Sequence, residues 1–310
     1  MNYKVYKLDF QGAVHLGKSS LEDGEYTFCA DTLFSALCHE AVKLGEDGIE
    51  KLYKYVMDGK LLFSDAFPYE GKNYYLPKPM LHIESQNEKG NSIVKKAYKK
   101  LKYIPVTQIE NYLNGTYDVL HTDSLKELGH FEMKVSASIR GEEETKPYRI
   151  GCYRFNEENG LYIIVAYETD EILEFTEKLL ENLSYSGIGG KRASGMGRFE
   201  LLYGKLDENV EKRLNNKVCN KYMTLSVSLP KEDELERALE DAEYSLIRRS
   251  GFVLSDTYSS EQMRKKDLYV LKAGACVNTC YEGNVYDVSD KPGKHPVYKY
   301  AKPLFLGVDV

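Results

Sequence analysis

The chain has 310 residues, with 42 Lys and Arg against 48 Asp and Glu, six histidines, six cysteines, 26 tyrosines and no tryptophan. A net charge of −6 excludes a protein that coats nucleic acid with its whole surface, but not one with a local basic site. The longest apolar run, LYIIVAY (161–167), is too short to span a bilayer, and the opening MNYKVYKLDF carries three charges, so neither a membrane span nor a signal peptide is read and a cytoplasmic protein is expected.

In chain order, YKVYKLDF (3–10) alternates like a half-buried strand. After the loop GAVHLGKSS (12–20), Asp31 is placed to cap a helix with Leu33, Leu37, Ala41 and Leu44 on one face and Gly45 as its stop. LLFSDAF (61–67) reads as the next strand. A second strand and helix follow in GLYIIVAYE (160–168) and DEILEFTEKLLENL (170–183), whose first turn is acidic as the helix dipole favours. The strand RFELLY (198–203) closes a βαββαβ, ferredoxin-like (RRM-like) domain over 1–205. It is stretched by an insertion at 68–135, which holds the polar ESQNEKGNS (84–92) and the five lysines of VKKAYKKLKY, read as a solvated helix face. SASIRGEEETKPYRIGCYRF (136–155) reads as a protruding hairpin with a charged tip. A second domain over 218–310 opens with YMTLSVSLP, continues with an acidic helix at 231–243 and the strands GFVLSD and DLYVLKAG, and ends on HPVYKYAKPLFLGV. Its second helix is not visible, so it reads as a degenerate copy of an overall α+β fold.

The cysteines at 29, 38, 152, 219, 276 and 280 lack paired C-x2-C spacing, and the histidines stand at no zinc-ligand distance from them, so reduced thiols and no structural metal are expected. Residues 232–243 hold seven acids against one arginine, which accounts for the net −6; elsewhere the charges balance.

GIGGKRASGMG (187–197) packs five glycines into eleven positions between a helix and a strand. It is no P-loop, because Lys191 is followed by Arg192 and position 185 is Tyr. A dinucleotide fingerprint also fails: position 192 is Arg, and the loop runs from helix to strand. Two readings stay open. One is a flexible connection; the other is a loop whose backbone and cations, Lys191, Arg192 and Arg198, track an extended anionic chain such as RNA.

With the helix ADTLFSALCHEA, the 137–155 hairpin and the PVYKYAKPLFLGV terminus, this loop resembles the RAMP superfamily of CRISPR-associated proteins, and within it the fourth Csm subunit of type III-A effector complexes. The resemblance implies a subunit without catalysis or cofactor that holds the 5′ handle of the CRISPR RNA beside the large Cas10-type subunit and the backbone Csm subunits. On matching positions it implies RNA contacts at Gly187, Gly189, Gly190, Lys191, Arg192, Ser194, Gly195 and Arg198. The first-strand loop adds His15, Lys18, Ser19 and Ser20, and the hairpin adds Arg140 near a displaced base. The rival is a metal-independent RNA-processing endoribonuclease of the same superfamily, with His15 as general base. Against it, more than a hundred residues follow the glycine loop, which in those nucleases lies near the C-terminus.

Overall fold

The computed structural model describes residues 1–17, 20–83, 92–120, 125–138, 146–216, 218–255, 258–259, 261–290 and 293–309. In the first half, β1 (Asn2–Phe10) leads through the two-residue strands β2 (Leu16–Gly17) and β3 (Gly24–Glu25) into α1 (Ala30–Val42) and α2 (Glu46–Met57). Then come β4 (Leu61–Phe63), β5 (Phe67–Glu70), β6 (Asn73–Pro77), α3 (Ser92–Lys100), β7 (Tyr103–Pro105) and α4 (Ile109–Leu113). The hairpin arms β8 (Gly129–Ser138) and β9 (Lys146–Phe155) precede β10 (Asn159–Tyr167), α5 (Asp170–Ser186) and β11 (Phe199–Gly204). The second half contains α6 (Glu208–Asn215), β12 (Lys221–Thr224), α7 (Leu235–Leu239), β13 (Leu246–Arg249), β14 (Leu268–Leu271), β15 (Cys276–Val277), β16 (Asn284–Asp287), β17 (Tyr298–Ala301) and β18 (Phe305–Val308).

The main sheet is antiparallel, ordered β11-β1-β10-β5-β6-β7, with β4 also on β10. Taking β1, β4, β10 and β11 as first to fourth, the order across the sheet is fourth, first, third, second. The apolar run of β10 is continuous because both faces are covered. Leu161, Ile163 and Val165 enter one core with α1, α2 and α5, while Tyr162, Ile164 and Ala166 enter a second with Leu225, Leu304 and Leu306.

Several expectations change. The 61–67 run is one strand broken at Ser64–Ala66: Ser64 keeps its bond to Ile164 O at 2.9 Å, but the Asp65 N–H turns to Leu225 O at 2.8 Å. The 68–135 segment is not only an insertion, since β5, β6 and β7 widen the sheet; its lysines 95, 96, 99 and 100 are exposed on α3. The hairpin starts at Gly129, not 136, because all ten residues of β8 pair with β9. The acidic helix 231–243 shrinks to the five residues of α7, as Glu234 is buried and accepts N–H bonds from Lys231, Glu282 and Gly283. GFVLSD makes only an isolated bridge at Phe252, and the terminus forms two strands, β17 and β18. α2 was not foreseen; its Leu52 and Val56 fill the first core.

The halves are joined by buried charge. Asp31 does not cap α1. Its side chain is 1% exposed, and it binds Arg249 through both oxygens at 2.8 and 2.9 Å and Lys299 at 3.0 Å. Burial would raise its carboxyl, but the two cations outweigh that and hold it at about 2. The carboxylate at the helix start is instead Asp65, which accepts from Ala30 N at 2.8 Å and Val227 N at 3.0 Å. Burial pushes Asp65 up to about 7 despite those two bonds.

Candidate nucleic-acid interface

Three segments meet at one corner of the sheet. The loop after β1 pairs with the hairpin arm β9, as Val14 and Tyr153 exchange both backbone bonds at 2.8 and 2.9 Å. The same loop holds the glycine loop: Gly190 N donates to His15 O at 2.8 Å, and Gly197 N to Ala13 O at 3.1 Å. Beneath them Ala13, Ile150, Cys152 and Met196 form a small core of their own.

The glycines are explained largely by this packing. A Cβ on Gly197 would lie 2.0 Å from Ile188 O, one on Gly189 2.5 Å from His15 O, and one on Gly190 2.7 Å from the His15 ring. Gly187 would meet Met196 O at 2.9 Å. What approaches the main chain at these four positions is the protein's own backbone and ring. Gly195 differs: its φ is +81° and a Cβ there would meet nothing within 4 Å. It closes a 3-10 turn over Arg192–Ser194, and Lys191 opens that turn in the left-handed region at φ 59°.

The cations divide. Lys191 Nζ lies 4.7 Å above the Tyr148 ring, so it links the loop to the hairpin; sequence reading missed Tyr148, one among 26 tyrosines. Arg198, Ser194 and Gly195 are exposed and Arg192 is half-buried. Ser20 is exposed, and its hydroxyl accepts from Asp23 N at 3.2 Å. Lys18, Ser19 and Arg140 lie outside the described residues. His15 is buried, and Gly151 O, 2.7 Å from Nδ1, can only accept, so Nδ1 carries the proton and the neutral ring's free nitrogen is Nε2. The ring is a strut between the first loop and the hairpin.

On the hairpin, Phe131, Met133 and Val135 alternate along β8 with their side chains exposed. Phe131 also packs edge-on against Tyr153 and Tyr26 at the base. Among the described residues no group of three His, Cys, Asp or Glu is placed to hold a metal ion, and no helix is long and apolar enough to cross a membrane.

Comparison with known proteins identifies relatives along the whole chain. A RAMP superfamily model matches residues 8–200, and a model of the CRISPR Csm4 C-terminal domain matches 217–308. The CRISPR system Cms protein Csm4 of Mycobacterium tuberculosis (strain CDC 1551 / Oshkosh) is 36% identical over 99% of this chain and 98% of its own length. That of Streptococcus thermophilus is 33% identical over the full length of both. Among solved structures, a chain of the Csm3-Csm4 subcomplex in the type III-A CRISPR-Cas interference complex superposes with a TM-score of 0.67 at 18% identity, covering 99% of this chain and 100% of that one. A chain of the Csm1-Csm4 cassette in complex with pppApA gives 0.64 at 18% identity, covering 99% and 98%. At that identity the structural likeness speaks for the fold alone.

Proposed function

The chain belongs to the Csm4 family of the RAMP superfamily, and from this premise we propose that it is the non-catalytic RNA-binding subunit of a type III-A CRISPR effector complex, holding the 5′ handle of the guide RNA. Its neighbours are the large Cas10-type subunit on one side and the backbone Csm subunits on the other, by analogy with the Csm1-Csm4 and Csm3-Csm4 assemblies. Its domains are ferredoxin-like, 1–205 and a degenerate 218–310, with α6 between them; the fourth, first, third, second strand order supports this for the first. The hairpin is the thumb.

The observation that carries the reading is the convergence of the first-strand loop, the hairpin and the glycine loop at one corner, with Arg198 and Ser194 exposed there. Cations and hydroxyls on rigidly tied loops position a phosphate chain without reading its sequence. In this reading His15 and the packed glycines set the shape of the RNA surface, while Lys191, Arg192, Ser194, Gly195 and Arg198 meet the RNA. The nuclease reading gains no support from a His15 ring that is buried and already bonded to Gly151.

The test is binding of the full chain to a single-stranded oligoribonucleotide across a salt series. Replacing Lys191, Arg192 and Arg198 together by Ala should weaken binding and lower the salt slope by about 2, at roughly 0.7 per lost phosphate contact. In EDTA the RNA should stay intact. Single-site cleavage in EDTA that disappears in His15→Ala would establish the nuclease instead.

A further inference from the structure

The glycine loop has a second side, facing α1. Lys43, just past the end of α1, bonds Ser186 Oγ at 3.0 Å at the end of α5, so the loop leaves α5 beside the last turns of α1. From the other half, β17 brings Lys299 onto Asp31 of α1, and Tyr298 stacks on Tyr53 of α2. Lys265 belongs to that half, its N–H tied to Gly251 O at 2.9 Å and its strand bridged to Ser289. His39 therefore lies on a helix flanked by Arg192 from the loop and Lys265 from the C-terminal half, and both charges act on its ring.

The acids that could neutralise this group are already engaged. Asp31 is taken by Arg249 and Lys299, and Glu40, buried, is taken by Lys43 at 2.7 Å. Among the described residues neither Arg192 nor Lys265 has a carboxylate partner. Three basic groups from three elements thus face one another, all partly accessible. Leaving a half-buried amine among cations is costly unless an anion arrives.

We propose that Arg192, His39 and Lys265 form a phosphate seat shared by the two halves, and that it takes a backbone phosphate of the same single-stranded RNA. This rests on the RNA-binding reading above and extends it. The RNA leaves the glycine loop on the α1 side and passes onto the C-terminal half. The electrostatics agree: burial first, then Lys299, pushes the Lys265 amine down to about 8, opposed by Asp31 and Cys38 and aided by Arg249. Burial, then Arg192, Lys265 and Lys43, lowers the His39 imidazole against Glu40. A phosphate in the seat reverses both directions.

The experiment measures oligoribonucleotide affinity and salt slope for the full-length Lys265→Gln and His39→Gln proteins, with Lys272→Gln as an exposed control. Lys265→Gln should lose roughly tenfold in affinity, as one charge-assisted contact, and about 0.7 in slope. Lys265→Arg should restore both, and the melting temperature of Lys265→Gln should stay level or rise because a repelling charge is gone. The His39 ring, followed by NMR, should titrate at higher pH once RNA is bound. If both Gln variants bind like wild type while the triple loop variant is weak, the seat is wrong and the loop reading stands. Should the triple variant also bind normally, the RNA reading falls and the seat with it. A His39 response to inorganic phosphate or ATP alone, and none to RNA, assigns the seat to a free phosphate and overturns the proposal.

Discussion

The seam between the halves and the glycine-loop corner both concentrate charge, and they treat it in opposite ways. At the seam every strong charge has a partner: Asp31 takes two cations and Asp65 two backbone N–H groups. Beside the loop, Arg192, Lys265 and Arg198 have no carboxylate partner among the described residues. Charge that maintains the fold is satisfied inside the chain, whereas charge kept for a ligand is left uncompensated. The difference can be tested from the seam outward.

The largest effect is expected at Asp31. Asp31→Ala leaves Arg249 and Lys299 packed without a counter-charge, and losing one partner of a buried pair costs about 3–5 kcal/mol, read by denaturant unfolding. A loss under about 1 kcal/mol would mean that the seam is not held by charge.

The glycine loop divides next. Gly197→Ala puts a Cβ 2.0 Å from Ile188 O at φ +75°, so beyond the roughly 1–3 kcal/mol of left-handed strain it must displace the backbone. Gly195→Ala, also at positive φ but in open space, should cost only about 1–2 kcal/mol. Equal thermal shifts in the two variants would contradict the packing account. Neither change removes a charge, so the salt slope of RNA binding should be kept in any variant that folds.

The two seam carboxylates carry opposite pH signatures. Asp31, lowered from 3.8 to about 2, contributes stability that is present above pH 3.8 and lost as pH falls through about 2. Asp65, raised from 3.8 to about 7, contributes stability present below pH 3.8 and lost as pH rises through about 7. Asp65→Asn keeps an oxygen for Ala30 and Val227, and should flatten the stability profile between about pH 4 and 7. An unchanged slope in that window would mean that Asp65 ionises normally. The smallest stability effect belongs to the triple loop variant, within about 0.5 kcal/mol of wild type, since exposed charges contribute little.

These contrasts also explain what the sequence could reveal. β1, β10, α1, α5 and the helix-to-strand course of the glycine loop were legible because each is a local periodicity over many residues. Asp31 misled because an acid at a helix start is usually a cap, whereas its partners lie 218 and 268 residues away. α2 was hidden by EDGIEK, whose polar face outweighs Leu52 and Val56 to a reader moving along the chain. The acids of 232–243 suggested one surface helix, yet Glu234 is an internal acceptor and Glu243 pairs with Lys221 and takes His82 N. At the site, the cations and the glycine richness were visible; that four of the five glycines serve the loop's own packing, and that Tyr148 and His15 brace it, depends on contacts made across the fold.

The long reach of Asp31 bears on how the chain comes off the ribosome. The pocket for this carboxylate is built from α1, made early, but its neutralising charges are translated only at positions 249 and 299. Until then Asp31 must stay hydrated or protonated, and α1 cannot settle into its final place. Val227, which bonds Asp65, is likewise late. The first half should therefore wait in a loosened state, its apolar surface open to chaperones, and the RNA corner built on it should become competent only when synthesis of the second half is nearly complete.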